Sequence, residues 1–152
     1  MKNLKVMILA FAVVLLTSAF SAANASGIGF INYKKVQDNY SYAQAAMKDV
    51  DARSLALQQF LVDKEKEFKT IDTPIKKQNF EDKTSKEFKA KQDEYLAYKA
   101  KKEADVFAKI QDAAKQVLVE QHLDSIIDYR VIFVGGIDVT DLVLQKLNAT
   151  AK

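Results

Sequence analysis

The strongest constraint on this chain is a repeat of apolar residues. Val36, Tyr40, Ala43, Met47, Val50, Ser54, Leu57, Leu61, Lys64, Phe68 and Ile71 recur at alternating spacings of four and three, and only Ser54 and Lys64 break the stripe. This spacing puts one face of a helix along another helix, in the manner of a coiled coil. A helix from Lys34 to Ile71 spans about 57 Å at about 1.5 Å per residue. Asp72-Thr73-Pro74 ends it, because proline has no amide proton and disfavours helix in the residue before it.

A second helical run is predicted from about Gln78 to Gln121. It carries Leu96, Ala100, Phe107, Ile110, Ala114 and Val117 at the same spacing, with Glu103 as a break. Two long amphipathic helices joined by a short turn predict an antiparallel hairpin, an arm over residues 34–121. The arm is uneven. Between Asp72 and Glu94 the apolar residues are Ile75, Phe80, Phe88 and Ala90, and from Lys64 to Lys91 nine lysines stand against six acidic residues. A thin seam buries little, so the tip should open locally at low cost. Glu65/Lys69 and Glu87/Lys91 have the spacing of helix-supporting ion pairs. Asp63/Glu67 and Glu81/Asp82 read as surface charge.

The N-terminus reads as a signal peptide. Lys2 and Lys5 precede an apolar run from Val6 to Phe20, and Ala23-Asn24-Ala25 offers a peptidase site, with cleavage after Ala25. The apolar run is short for a spanning helix. Residues 26–152 then form a mature chain of one domain's size. Without Lys2 and Lys5 the 23 basic residues fall to 21, against 20 acidic, so this form is nearly neutral. An exported chain with no cysteine has no disulfide to hold it.

Outside the arm lie residues 26–33 and 122–152, 39 residues in all. Three strands are predicted there: Ile28 to Tyr33, Ser125 to Tyr129, and Val131 to Val134. The last is apolar on both faces and should be buried on both. Thr140 to Leu147 reads as a short helix with Val139, Leu142, Val143 and Leu147 on one side. Fewer than about 40 residues rarely make an adequate core without a metal, disulfides or oligomerisation. Several copies sharing one sheet would supply the missing core and cover the strand edges. Phe30, Ile31, Ile126, Ile127, Val131, Ile132, Phe133 and Val134 are the residues expected to build that oligomerisation body.

Catalytic chemistry finds little footing. Gly135-Gly136 lacks the spacing of a dinucleotide fingerprint and the lysine of a P-loop. Asp138 and Asp141 follow at a helix start, where carboxylates cap free amides and would repel a phosphate. His122 is the only histidine, which excludes a histidine-based zinc site, and it falls at a helix end. We expect no enzyme, no catalytic residue, no metal and no cofactor. The near-zero net charge of an exported chain also argues against nucleic acid as partner.

The opening "IGFINYKKVQ", the long polar hairpin and the closing "LDSIIDYRVIFVGGIDVTDLVLQKLN" together resemble the Skp/OmpH family of periplasmic chaperones. The motif-bearing residues are Gly29 to Asn32, Asp124 to Ile127, Val131 to Val134, Asp138 to Asp141, and Leu147-Asn148. The resemblance implies an α+β fold: a long antiparallel α-helical hairpin on a small β body completed by oligomerisation, with a short C-terminal helix. It implies a homotrimer in the periplasm that encloses unfolded outer-membrane β-barrel proteins between its arms without ATP. The best-known members of that family are strongly basic. This chain carries 18 basic and 16 acidic residues from Lys34 to Glu120, so charge steering is weak and screened beyond about 8 Å. We therefore expect at most a weak membrane-surface contact and carry over no lipopolysaccharide site. The client-binding surface is expected on Lys76, Lys77, Lys83, Lys86, Lys89 and Lys91, and on the exposed aromatics Phe80, Phe88, Tyr95 and Tyr98. The alternative is a periplasmic coiled-coil scaffold that binds one folded partner.

Overall fold

The computed structural model describes residues 27–150. The expected signal segment 1–25 lies outside the described residues. Strand β1 (Gly27–Ile31) leads through Asn32 into helix α1 (Tyr33–Asn39). Tyr40 interrupts the helix with extended dihedrals, φ −87° and ψ 116°, and α2 (Ser41–Lys69) follows. A short turn leads to α3 (Pro74–Glu120), then β2 (Leu123–Asp128), a 3₁₀ turn (Tyr129–Val131), β3 (Ile137–Asp138) and α4 (Thr140–Ala149).

The arm differs from expectation in three respects. The first helix is two helices, broken at the buried Tyr40. Pro74 does not merely end a helix. It opens the next one, at the position where a missing amide proton costs nothing, so α3 begins four residues earlier than expected. At 47 residues α3 is about 70 Å long. Finally, the seam of α3 is shifted in part: Ile110 and Val117 are buried as expected, but Val106 and Ala113 join them, whereas Leu96, Ala100 and Phe107 face out. On α2 the stripe holds better, with Ala43 and Val50 buried and Ser54, Leu57, Lys64 and Phe68 half-buried; Ala46 takes the place of the exposed Met47.

The sheet has the order β2-β1-β3, and both pairings are parallel. A parallel partner needs a long crossover, and here the whole arm is that crossover between β1 and β2. Gly29 allows the close approach: a Cβ there would lie 2.7 Å from Leu123 Cδ1.

The predicted strand at Val131–Val134 is not formed. Asp128 Oδ1 accepts hydrogen bonds from Arg130 N and Nε, both at 2.9 Å, and Oδ2 accepts from Arg130 Nη2 at 2.8 Å. This fork curls the chain into the 3₁₀ turn and ends β2 at Asp128. Val131, Phe133 and Val134 are exposed rather than buried on two faces, and the third strand is the short Ile137–Asp138. The first strand likewise stops at Ile31, because the Asn32 side chain caps α1.

The core lies at the arm root. Ile31, Val36, Tyr40, Ala43, Val106, Ile110, Val117, Leu123, Val139, Val143 and Leu147 form one cluster. The strand-bearing ends thus draw on both arm helices for burial. No residue from Asp51 to Asp105 is buried.

Candidate functional site

The arm beyond the core has no buried residue, and its two helices are joined there by an unusual seam. Contacts between α2 and α3 follow opposite sequence order. The Tyr98 hydroxyl donates to Asp49 Oδ2 at 3.4 Å, Lys91 Nζ lies 5.3 Å from the Phe60 ring centre, and Phe68 meets Phe80 at 6.1 Å. Apolar residues are too sparse for an aliphatic seam, so cations cover the rings. The Arg53 guanidinium sits 3.7 Å over Tyr98, Lys64 lies 5.6 Å from both Phe60 and Phe80, and Lys77 lies 5.2 Å from Phe68. Such contacts are worth about 0.5–1 kcal/mol each at exposed sites. Lys64 therefore belongs to the seam it interrupts in the sequence. Its ammonium donates to Glu67 at 2.8 Å, and that hydrogen bond raises its pKa.

The predicted client-binding residues divide accordingly. Phe80, Phe88, Tyr95 and Tyr98 are half-buried along the helix–helix seam, not free aromatics as expected. Lys77 and Lys91 lie over rings of the facing helix. Lys76 pairs with Asp72 at 3.4 Å and Lys83 with Glu87 at 3.8 Å. Glu87 thus turns to Lys83 and not to Lys91, while the expected Lys69–Glu65 pair forms at 2.7 Å. Lys86 and Lys89 are exposed. An open groove of about 360 Å³ remains at the tip, where Leu61, Phe68, Phe80 and Phe88 surround Lys64.

A second apolar surface lies at the root. Tyr33 and Phe107 meet at 6.2 Å on one wall of a groove of about 430 Å³, with Ile31, Ile110, Ile126 and Ile127 also lining it. Burial raises the Tyr33 phenol pKa, with Glu103 adding to the effect. Of the residues expected in the oligomerisation body, Ile31 is buried. Phe30, Ile126, Ile127 and Ile132 are half-buried, and Val131, Phe133 and Val134 protrude.

The terminal motifs act as joints. Asn32 Oδ1 accepts from Lys35 N at 2.9 Å and caps α1. Asp138 Oδ1 accepts from Thr140 N at 2.9 Å and from the Thr140 hydroxyl at the start of α4, and the hydroxyl and the amide hold its carboxyl below the usual range. Asp141 meets Lys35 at 2.6 Å. Asn148 Oδ1 accepts from the Ser41 amide and hydroxyl, both at 3.3 Å, and so clamps the break between α1 and α2. Gly135 and Gly136 take φ of +85° and +90°, a turn conformation that suits glycine. His122 follows α3 with φ +52°, in the place where a helix commonly ends on glycine.

No protein-family model matches the chain, and no curated protein matches it. Among solved structures, the chain is similar to a Caulobacter crescentus CB15 protein described as a "putative outer membrane chaperone (OmpH-like)". Identity is 15%, coverage is 85% of this chain and 88% of that one, and the TM-score is 0.46. At that overlap the likeness transfers no residue role and no activity.

Among the described residues no three metal-ligating side chains gather, and no helix is long and apolar enough to cross a membrane. The root groove and the cation-covered rings were not anticipated from sequence. The signal for the rings was there, since Phe60, Phe68, Phe80 and Tyr98 each have a lysine or arginine opposite them when the two helices are aligned in reverse.

Proposed function

We propose that this chain is an ATP-independent holdase of the periplasm, a non-enzymatic chaperone that binds unfolded outer-membrane proteins between helical arms. The observation that carries this is the absence of any buried residue from Asp51 to Asp105. Two helices extend far beyond their core and bury no residue fully against each other. A rod of that kind does not stabilise its own domain, so its length serves something held alongside it. Half-covered rings, lysines and an apolar tip groove offer many weak contacts with no single dominant one, which suits clients without fixed structure. The antiparallel arm stands on a body completed by other copies, three in the reading that the family resemblance suggests, and avidity among arms multiplies weak contacts. Delivery to the periplasm is attributed to the segment 1–25.

The test is aggregation of an urea-unfolded outer-membrane β-barrel protein on dilution, followed by light scattering without nucleotide. Suppression at about one assembly per client is expected. Unchanged scattering, together with a pull-down yielding one stoichiometric folded protein, would replace the chaperone with a periplasmic scaffold.

A further inference from the structure

We propose that the groove at the break between α1 and α2 is a binding site for a small phosphate ester with a ring body. The groove holds about 490 Å³, and three elements frame it: the start of α2, one face of α3 around Lys109, and the end of α4 around Lys146. None of the lining residues lies in a strand, so the groove is separate from the sheet.

Tyr40 marks the site. It is 4% exposed, yet its hydroxyl makes no hydrogen bond among the described residues. That oxygen is not sealed in either, because the one sealed side-chain polar atom without a partner among them is Thr73 Oγ1. The Tyr40 hydroxyl therefore opens onto the groove that its side chain lines. Burial raises the phenol pKa, with Tyr42 adding to the effect, so the group is a protonated donor at neutral pH. A buried donor without a partner is costly, and an acceptor supplied by a ligand removes that cost.

The charge around this donor favours an anion. Helix α2 runs for 29 residues, no acidic residue stands in its first turn, and its N-cap residue Tyr40 offers no side-chain cap. Its first residues line the groove, which places the partial positive charge of the helix end there. Lys109 adds a full charge. Its ammonium lies 5.0 Å from the Tyr42 ring centre and enters no ion pair among the described residues. The nearby carboxylates are engaged, Asp112 by Lys115 at 3.4 Å and Glu120 by Lys146 at 2.6 Å. An ammonium, a phenol and a helix end approach from different elements, which suits the three acceptor oxygens of a phosphate better than the planar pair of a carboxylate. The Tyr40 and Tyr42 rings, 5.8 Å apart, leave an aromatic surface for the ring that carries the phosphate.

The test is isothermal titration calorimetry with phenyl phosphate, at an ionic strength held constant with chloride. Saturable binding is expected, and the thermal midpoint of the chain should rise with the ligand. Tyr40→Phe keeps the ring and removes the donor, and Lys109→Gln removes the charge. Each is expected to weaken binding by about tenfold with helical circular dichroism retained. Lys101→Gln, exposed on α3 outside the groove, is expected to change nothing. Benzoate is expected to bind about tenfold more weakly than phenyl phosphate. The proposal is overturned if binding does not saturate, or if Tyr40→Phe and Lys109→Gln bind like the parent chain. It is equally overturned if Lys101→Gln weakens binding as much as Lys109→Gln, or if benzoate binds as tightly as phenyl phosphate. None of these measurements reads aggregation, so the site stands or falls apart from the chaperone.

Discussion

The backbone amide of Asn32 donates to Thr140 Oγ1 at 3.0 Å, joining residues 108 positions apart. The same hydroxyl donates to Asp138 Oδ1 at 2.5 Å, and Val139 N donates to Phe30 O at 3.0 Å beside it. Thr140 is buried, so its hydroxyl replaces water for the first turn of α1 and the first turn of α4 at once. Replacing Thr140 by valine keeps the shape, orphans the Asn32 amide and leaves Asp138 only the amide of residue 140, at a cost of about 1–3 kcal/mol. Thr140→Ser should lose far less. Urea unfolding of the two variants checks this, and equal losses would show that the methyl group matters and the hydroxyl does not.

Gly29 is required by the sheet and not by its dihedrals. A methyl group there would press on Leu123 Cδ1 at 2.7 Å and Ile126 Cγ1 at 3.2 Å. Gly29→Ala should destabilise the body by about 1–3 kcal/mol through overpacking. Adding Leu123→Val should recover part of that loss, read from the thermal midpoint.

His122 spends about 1–2 kcal/mol on its left-handed backbone. His122→Gly removes that strain but adds about 0.5–1 kcal/mol of chain entropy. A net gain of about 0.5–1 kcal/mol is expected from chemical denaturation. His122→Val, branched at Cβ, should lose stability.

Acid sensitivity follows from Asp138. Its carboxyl titrates below the usual range because Thr140 donates to it twice, with Lys35 adding to the effect. A depressed folded pKa gives stability that is present above the unfolded value, near about 3.9, and is lost as pH falls through the folded one. Stability should therefore fall with a midpoint below about pH 4. Asp138→Asn should flatten that part of the profile while leaving neutral-pH helicity intact. An unchanged acid limb would exclude the role of Asp138.

The arm should be stable at the root and loose beyond it. Ile110→Ala, in the core, should cost about 2–5 kcal/mol. Leu55→Ala, exposed on the outer side of α2, should stay within about 0.5 kcal/mol. Amides from Lys77 to Glu94 should exchange at least about tenfold faster than those from Val106 to Val117, about 1.4 kcal/mol in opening free energy. Uniform protection along α3 would contradict a seam held by cation–ring contacts.

By itself the sequence determined two long helices, the turn between them, the glycine pair, the short terminal helix and the thinning of apolar residues toward the tip. Spacing and proline act locally, and local rules are legible in one dimension. Only the tertiary structure decided which residues of α3 face α2. Ile110 and Val117 fit a stripe with Leu96, Phe107 and Ala114 and also one with Val106 and Ala113, and both fit a helical period. Only the tertiary structure turned Val131, Phe133 and Val134 outward, because the Arg130 fork onto Asp128 overrides an apolar pattern that favours a strand. The arm aromatics were half-buried for a similar reason. A ring that reads as exposed on one helix is covered when a lysine of the facing helix lies over it, and that pairing exists only after the two helices meet.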